Sequence, residues 1–190
     1  MKQQNIRFVT LVTIILAAAF SRIVPHMPNF SPLSAISVFA AAHFADRRLS
    51  LAIPIAAAWL SDLFLSNVIY AQAGQAFAWF YPGFYWQYAA YLMIALTSLG
   101  LFRRAHTATK IVTASLLSGV IFFALSNFGV WFSGGLYPHN LSGLIACYLA
   151  ALPFYQGTLL GDAVYGALLF GGFFLFQKQF SVLRPARDLH

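Results

Sequence analysis

Residues 111–132 read IVTASLLSGVIFFALSNFGVWF and contain no charged side chain. As a helix this run rises about 33 Å, enough to cross the ~30 Å hydrocarbon core of a bilayer. Uncharged apolar runs of this length are typical of transmembrane helices. We therefore predict that the segment spans a membrane.

The whole chain has the composition of an integral membrane protein. Its 190 residues are 61% hydrophobic and 8% charged, and 11 Lys and Arg against 4 acidic residues give a formal charge of +7. About six spans with their loops use up this length and leave no room for a soluble catalytic domain. The single cysteine excludes an intramolecular disulfide, and no Cys/His spacing predicts a zinc site.

Four more apolar runs are long enough to cross a bilayer, namely residues 8–24, 51–68, 84–102 and 159–176. Two shorter runs differ in their surroundings. Residues 33–45 follow Ser31 and Pro32, a favourable helix start, and are counted as a further span. Residues 141–153 lie between turn-like sequences and are predicted to form a short interfacial helix.

The basic residues test this count, because cytoplasmic loops of membrane proteins carry most of the Lys and Arg. With six spans, all of them except Arg22 fall on one side: Lys2, Arg7, Arg47, Arg48, Arg103, Arg104, Lys110, Lys178, Arg184 and Arg187. We therefore predict an all-α protein with six transmembrane helices, cytoplasmic termini and a cytoplasmic basic tail at 177–190. The positive charge is then explained by the orientation of the protein in the membrane. Binding to nucleic acid is not needed to explain it. The first run also resembles a signal peptide, whose cleavage would leave the other five orientations unchanged.

Three charged side chains, Arg22, Asp62 and Asp162, fall within the predicted spans. Each costs on the order of 3 kcal/mol there and normally faces the bundle interior or marks a site. Following the helix directions, all three converge with Asn127 on the outer half. A buried ion pair of Arg22 with one aspartate is one explanation. Since one arginine cannot neutralise two aspartates, the other should be protonated, bound to donors such as Asn127, or open to water.

The predicted outer connections, 25–32, 70–83 and 133–157, contain no Lys or Arg and are rich in aromatic residues. The second, with the start of the next helix, reads WFYPGFYWQY over residues 79–88. An interfacial aromatic belt explains such rings at helix ends. The alternative is a lid of rings over an apolar, ring-bearing ligand, which the density of rings favours.

Catalytic signatures of metalloproteases, hydrolases, phosphate-binding loops and dinucleotide-binding turns are absent from the sequence. A fused ATPase is therefore excluded, and any energy source must be a partner or a gradient. Cys147 is interpreted as a small apolar filler, with metal binding by Cys147 or His26 as the minor alternative.

Several stretches together resemble an uncharacterised bacterial membrane family: residues 22–32 (RIVPHMPNFSP), 59–62, 80–86, 126–138 and 147–162. That family is thought to be related to the substrate-binding S-components of energy-coupling-factor (ECF) vitamin transporters, and looks most like the solitary cobalamin-specific type. The likeness covers nearly the whole chain. The Pro-His-x-Pro-Asn-Phe and Asn-Phe-Gly-Val-Trp runs are its most specific parts.

The resemblance implies one six-helix domain of the bacterial inner membrane with a vitamin pocket capped by the outer loops. In the cobalamin-type relatives a histidine, an aspartate and a tyrosine contact the ligand, and the matching positions are His26, Asp62 and either Tyr81 or Tyr85. A cobalt-ligating cysteine of some relatives has no counterpart, since residues 70–83 contain none.

S-components also dock on a coupling and ATPase module through small residues of the first helix. Thr13, Ala17 and Ser21 resemble that motif approximately. The resemblance therefore implies the same kind of partner on the cytoplasmic face, besides the lipid bilayer.

The leading hypothesis is a substrate-binding transport protein that captures a small vitamin-like molecule, with cobalamin as the transported ligand, under the aromatic outer loops. The candidate substrate-binding residues are Arg22, His26, Asn29, Asp62, Tyr81, Tyr85, Asn127 and Asp162. A small membrane enzyme using Asp62 or Asp162 as an acid–base group on a cofactor or lipid is the alternative. The third hypothesis is a structural or assembly subunit.

Overall fold

A computed structural model describes residues 2–103 and 107–184 of the chain. Arg104, Arg187 and the rest of the predicted tail beyond residue 184 lie outside the described residues. Within these two ranges the regular structure is entirely helical and no strand occurs, which confirms the all-α prediction.

The helices in chain order are α1 (Lys2–Phe20), α2 (Leu33–His43), α3 (Arg47–Phe64), α4 (Phe84–Leu101), α5 (Ala108–Ser133), α6 (Leu141–Gly166) and α7 (Gly172–Gln179). A 3-10 turn, Ser21–Ile23, extends α1, and a wider π-helical turn, Leu65–Ile69, extends α3. Four continuous segments are long and apolar enough to cross a membrane: Gln3–Ile23, Arg47–Ile69, Ala108–Ser133 and Leu141–Gln179. These lengths and compositions are those of a multi-pass membrane protein.

The segment Leu141–Gln179 differs from the sequence-based expectation. Residues 141–153 and 159–176 were predicted as separate helices, whereas α6 runs through Pro153 and a π-helical turn, Ala167–Gly171, joins it to α7. Proline removes one helical hydrogen bond, but membrane helices tolerate it when neighbouring groups compensate. At 39 residues the segment is about 58 Å long, well beyond the hydrocarbon thickness. Because the two expected pieces form one passage, the number of chain reversals is unchanged.

Side-chain caps explain where three of the helices begin. Asp46 accepts a hydrogen bond from the Arg48 N–H at the start of α3, and Thr107 does the same for α5. Asn140 caps α6 by accepting from the Gly143 N–H. Each cap satisfies a backbone donor that the first turn of a helix leaves unpaired.

The core of the protein is built around α2. Every residue from Pro32 to Ala41 is buried, and α2 packs against α1, α3, α4, α5 and α6. The predicted span 33–45 is therefore helical, but its 11 residues rise only about 16 Å, half the hydrocarbon thickness. Phe39 lies at its centre, with the rings of Phe170 and Phe173 at 5.2 and 5.7 Å.

Both ends of the described chain lie at the same end of the bundle. An Arg7 N–H near the start of α1 donates to the carbonyl oxygen of His43 at the end of α2. The C-terminal turn Ser181–Leu183 also packs against α1. We call this the terminal end, and the opposite end, with the connections after α1, α3 and α5, the outer end.

Candidate functional site

Arg22 and Asp62 form an ion pair near the outer end. The Arg22 Nη1 lies 2.6 Å from Asp62 Oδ1 and also donates to Ser61 Oγ at 2.9 Å. The Tyr88 hydroxyl donates to the second carboxylate oxygen, Oδ2, at 2.8 Å. The network therefore joins the turn after α1 to α3 and α4, and both oxygens of Asp62 have a donor.

The Arg22 guanidinium keeps donors that this network does not use. Both of its hydrogen bonds leave from Nη1, and among the described residues neither Nε nor Nη2 has a partner. The side chain is 18% exposed. Because a guanidinium has five N–H groups in a fixed plane, Arg22 can be held by Asp62 and still offer donors to a ligand.

Tyr81 is the tyrosine of the outer connection that lies near this pair. It is half-buried, and burial together with the nearby Tyr91 and Asp62 raises the pKa of its phenol above the ordinary range, an effect that Arg22 partly opposes. Tyr81 is therefore a neutral hydroxyl that can donate or accept a hydrogen bond. Tyr85 lies elsewhere, with its hydroxyl donating to Ser133 on α5 at 3.1 Å.

His26 and Asn29 lie in the exposed connection between α1 and α2. The His26 ring is 6.1 Å from the Phe30 ring, and Asn29 has a φ of 61°, a left-handed conformation that asparagine accepts more readily than most residues. The two side chains are therefore near the outer surface, in a tight turn.

The same connection lies directly against α6 at two glycines. A Cβ on Gly157 would lie 2.0 Å from the Pro28 carbonyl oxygen, and one on Gly161 would lie 2.8 Å from the Ser31 nitrogen. Only glycine permits this approach. The four-residue spacing of the two glycines is the known signal for close contact in membrane helices, and it was available in the sequence. On the outer side of this contact α6 continues for 16 residues, about 24 Å.

Asn127 and Cys147 belong to the packing of α5 on α6. The Asn127 amide donates to the Phe123 carbonyl of its own helix, and the Cys147 thiol donates to the Asn127 carbonyl at 3.4 Å. The structure therefore does not bring Asn127 to either aspartate. Among the described residues no three His, Cys, Asp or Glu side chains are grouped so as to hold a metal ion.

Asp162 is separate from the ion pair. It is 3% exposed, its Oδ2 lies 2.7 Å from Ser118 Oγ, and its buried Oδ1 has no hydrogen-bond partner among the described residues. Asp162 is the 22nd residue of α6. It therefore lies farther from the outer end than was expected for a helix that begins at residue 159. The contact with Ser118 was not predicted, because it depends on how α5 and α6 are rotated about their axes.

The aromatic residues of the second outer connection stack on one another at the surface. The Trp59 and Trp79 rings are 6.4 Å apart and nearly parallel, and those of Phe80 and Phe84 are 4.3 Å apart. Trp79 is 61% exposed. Asn67 fixes the connection by two hydrogen bonds to Ala78, of 2.8 and 2.7 Å. Both the aromatic belt and the lid are consistent with this arrangement.

An apolar groove of about 380 Å³ lies between α5 and α6. Phe123 and Phe128 line it from α5, and five residues between Leu144 and Leu152 line it from α6. It has no charged side chain in its lining and does not include Arg22 or Asp62. It is the kind of surface that lipid chains cover.

Comparison with known proteins places the chain in a family. Residues 2–185 match DUF6580, a family of unknown function, and the chain belongs to that family. No curated protein and no solved structure matches it.

Proposed function

We propose that this member of the DUF6580 family is a substrate-binding transport protein of the bacterial inner membrane. In this proposal it has six transmembrane helices, both termini in the cytoplasm and an S-component-like fold. Its ligand is a small vitamin-like molecule, with cobalamin as the first candidate. The observation that carries the proposal is the Arg22–Asp62 pair, which keeps unused donors beside the outer connections.

The polar part of the proposed site consists of Arg22, Asp62 and Tyr81. Asp62 holds the guanidinium in one position, so that less conformational freedom is lost when a ligand binds. The unused N–H groups of Arg22 and the neutral Tyr81 hydroxyl would recognise amide, carboxylate or phosphate oxygens. Cobalamin carries amide and phosphate groups around an apolar ring system, which fits such donors.

The apolar part of the proposed site is the set of exposed rings at the outer end. Trp79, Phe77 and Phe80 are each at least half exposed. In water such surface is unfavourable, and covering it with a flat ring system would remove apolar area from solvent. His26 and Asn29, also exposed, are proposed to contact the ligand from the first connection.

The proposed energy source is a separate ATPase module docked on the cytoplasmic face. Thr13 and Ala17, two of the three small residues noted in the first helix, are exposed on α1 and leave room for a close helix contact. The third, Ser21, is half-buried and bonded to Tyr165. Docking would therefore use the part of α1 nearer to the terminal end.

The proposal is tested by purifying the protein in detergent and recording its absorption spectrum with and without added cobalamin. We expect a corrinoid to co-purify or to bind in equal molar amount, and mass spectrometry to recover it unaltered. A protein that takes up no corrinoid would refute cobalamin as ligand. Recovery of a chemically altered ligand would favour the enzyme alternative instead.

A further inference from the structure

Three buried or half-buried serines that have a second hydrogen-bond partner share one pattern. The hydroxyls of Ser21, Ser61 and Ser118 each donate to the carbonyl oxygen three residues earlier in the chain, at 2.7, 2.9 and 2.7 Å. A carbonyl oxygen can only accept, and a serine hydroxyl has one hydrogen. If such a serine has a second partner at hydrogen-bond distance, one of its two contacts therefore needs a hydrogen from that partner.

For two of them the second partner supplies the hydrogen. The Tyr165 hydroxyl lies 2.8 Å from Ser21 Oγ and has a hydrogen that it can donate to it. The Arg22 Nη1 donates to Ser61 Oγ at 2.9 Å. At both Ser21 and Ser61, each of the two hydrogen bonds therefore has a hydrogen of its own.

The second partner of Ser118 is Asp162. The geometry makes Ser118 Oγ the donor to both Asp162 Oδ2 and the Ser115 carbonyl oxygen, each at 2.7 Å, although the hydroxyl has one hydrogen for these two contacts. An ionised carboxylate has no hydrogen to donate, whereas a carboxylic acid has one. We infer that Asp162 is a proton-binding site: a proton on Oδ2 is donated to Ser118 Oγ, between α5 and α6.

The contrast with Asp62 supports this assignment. Asp62 has donors on both oxygens and an arginine 2.6 Å away, the environment of a carboxylate. Asp162 is equally buried, forms no ion pair with the described residues and leaves Oδ1 without a partner. An anion in that position would be strongly disfavoured, because burying a charge without a counter-charge costs several kcal/mol.

Among the described residues, no other titratable group near Asp162 replaces the proton. On α5 the described titratable residue is Lys110, two helical turns from Ser118 toward the terminal end, and α2 has none before His43 at its far end. On α4 the buried Tyr91 is within electrostatic range of Asp162. On α6 itself, the Tyr155 ring lies beside the same Gly119 position as Asp162 Oδ2 but forms no hydrogen bond to it, and Tyr165 is bonded to Ser21. Arg22 and Asp62, on the α1 and α3 side, are paired with each other.

The site also links proton binding to helix packing. A Cβ on Gly119 would lie 3.5 Å from Asp162 Oδ2, so the α5 backbone lies close to the carboxyl group. Loss of the proton would leave an anion against this backbone, and α5 would have to move away or a cation would have to enter. This inference does not depend on the identity of the transported ligand.

Infrared spectroscopy tests the inference directly, because the chain has no glutamate and only four aspartates: Asp46, Asp62, Asp162 and Asp188. Protein labelled with ¹³C-aspartate, in a detergent without carbonyl groups, should show the carbonyl band of a protonated carboxylic acid at neutral pH. We expect Asp162→Asn to abolish the band and Asp46→Asn and Asp62→Asn to retain it. Absence of the band from the native protein, or its survival in Asp162→Asn, would overturn the inference.

A second variant covers the case in which Asp162→Asn does not fold. Ser118→Ala removes the acceptor of the proposed Oδ2–H and leaves the carboxyl group in place. We expect the carbonyl band to remain and to shift in frequency, because its hydrogen bond is lost. A band identical to that of the native protein would show that Asp162 does not donate to Ser118 and would overturn the inference.

Discussion

The Nη1 of Arg22 lies 2.6 Å from the Oδ1 of Asp62, which connects the turn after α1 to the last turn of α3. The side chains are 18% and 8% exposed. At this burial the attraction between the charges is offset largely by their loss of water, so the pair as a whole adds little net stability. Removing one partner is a different matter, because it leaves the other charge buried alone.

Replacing Arg22 alone should therefore cost more than replacing the pair. We expect Arg22→Met to lower the free energy of unfolding by about 3–5 kcal/mol, and the double variant Arg22→Met/Asp62→Leu to recover most of that loss. Reversible unfolding by a denaturing detergent measures both. Equal stability of the single and double variants would show that the pair is not effectively buried.

Tyr88 should contribute to the same network through its hydroxyl. Tyr88→Phe removes the donor to Asp62 Oδ2 and should destabilise the protein by about 1.5–3 kcal/mol, the range for hydrogen bonds to charged groups. Tyr85→Phe, one turn away, is the matched control, because its hydroxyl donates to the exposed Ser133. The same unfolding measurement should give a clearly smaller loss for the control, and similar losses for both would contradict this assignment.

Gly157 should be irreplaceable where the first outer connection meets α6. Gly157→Ala places a Cβ 2.0 Å from the Pro28 carbonyl oxygen, so the connection must move away. We expect faster proteolysis of residues 25–31 in this variant, because the connection loses its contact with the helix. Gly100→Ala in α4 is the control, since a Cβ there meets nothing within 4 Å. Unchanged proteolysis of Gly157→Ala would mean that the contact is absent in solution.

The pH dependence of ligand binding should show no contribution from Tyr81 ionisation. Burial raises the pKa of Tyr81 above its ordinary range, so the neutral hydroxyl persists to a higher pH than in water. The contribution of the Tyr81 hydroxyl to affinity should therefore stay constant as the pH rises to about 10, the ordinary pKa of tyrosine. A loss of affinity below that pH which disappears in Tyr81→Phe would show that the hydroxyl is accessible to water.

The sequence predicted the helices well wherever hydropathy alone determines them. The expected span 111–132 lies within α5, Ala108–Ser133, and residues 51–68 lie within Arg47–Ile69. The continuity of α6 through residues 153–158 was missed, because Pro153 and the glycines near it are breakers in soluble helices but are tolerated in membrane helices. A hydropathy profile does not include the tertiary contacts that compensate for these residues.

The candidate site was predicted in part. The charges of Arg22 and Asp62 made a pair foreseeable, because a lone charge in a span is costly. The rotation and depth of the helices determine which aspartate pairs with the arginine. They also determine that Tyr88 and Ser118 form hydrogen bonds with the two aspartates. Sequence periodicity specifies this rotation and depth only loosely. Asn127 was expected to join the aspartates, but its amide bonds to its own helix.

Calorimetric titration with cobalamin measures whether a vitamin-like ligand binds at Arg22 and Asp62. The native protein and the control Asp46→Asn, changed at the exposed start of α3, should bind with equal affinity. Asp62→Asn should bind roughly ten to a hundred times more weakly, because Arg22 is no longer held by a charge. Equal affinity of all three proteins, or no binding of cobalamin by the native protein, would contradict binding of cobalamin at this ion pair.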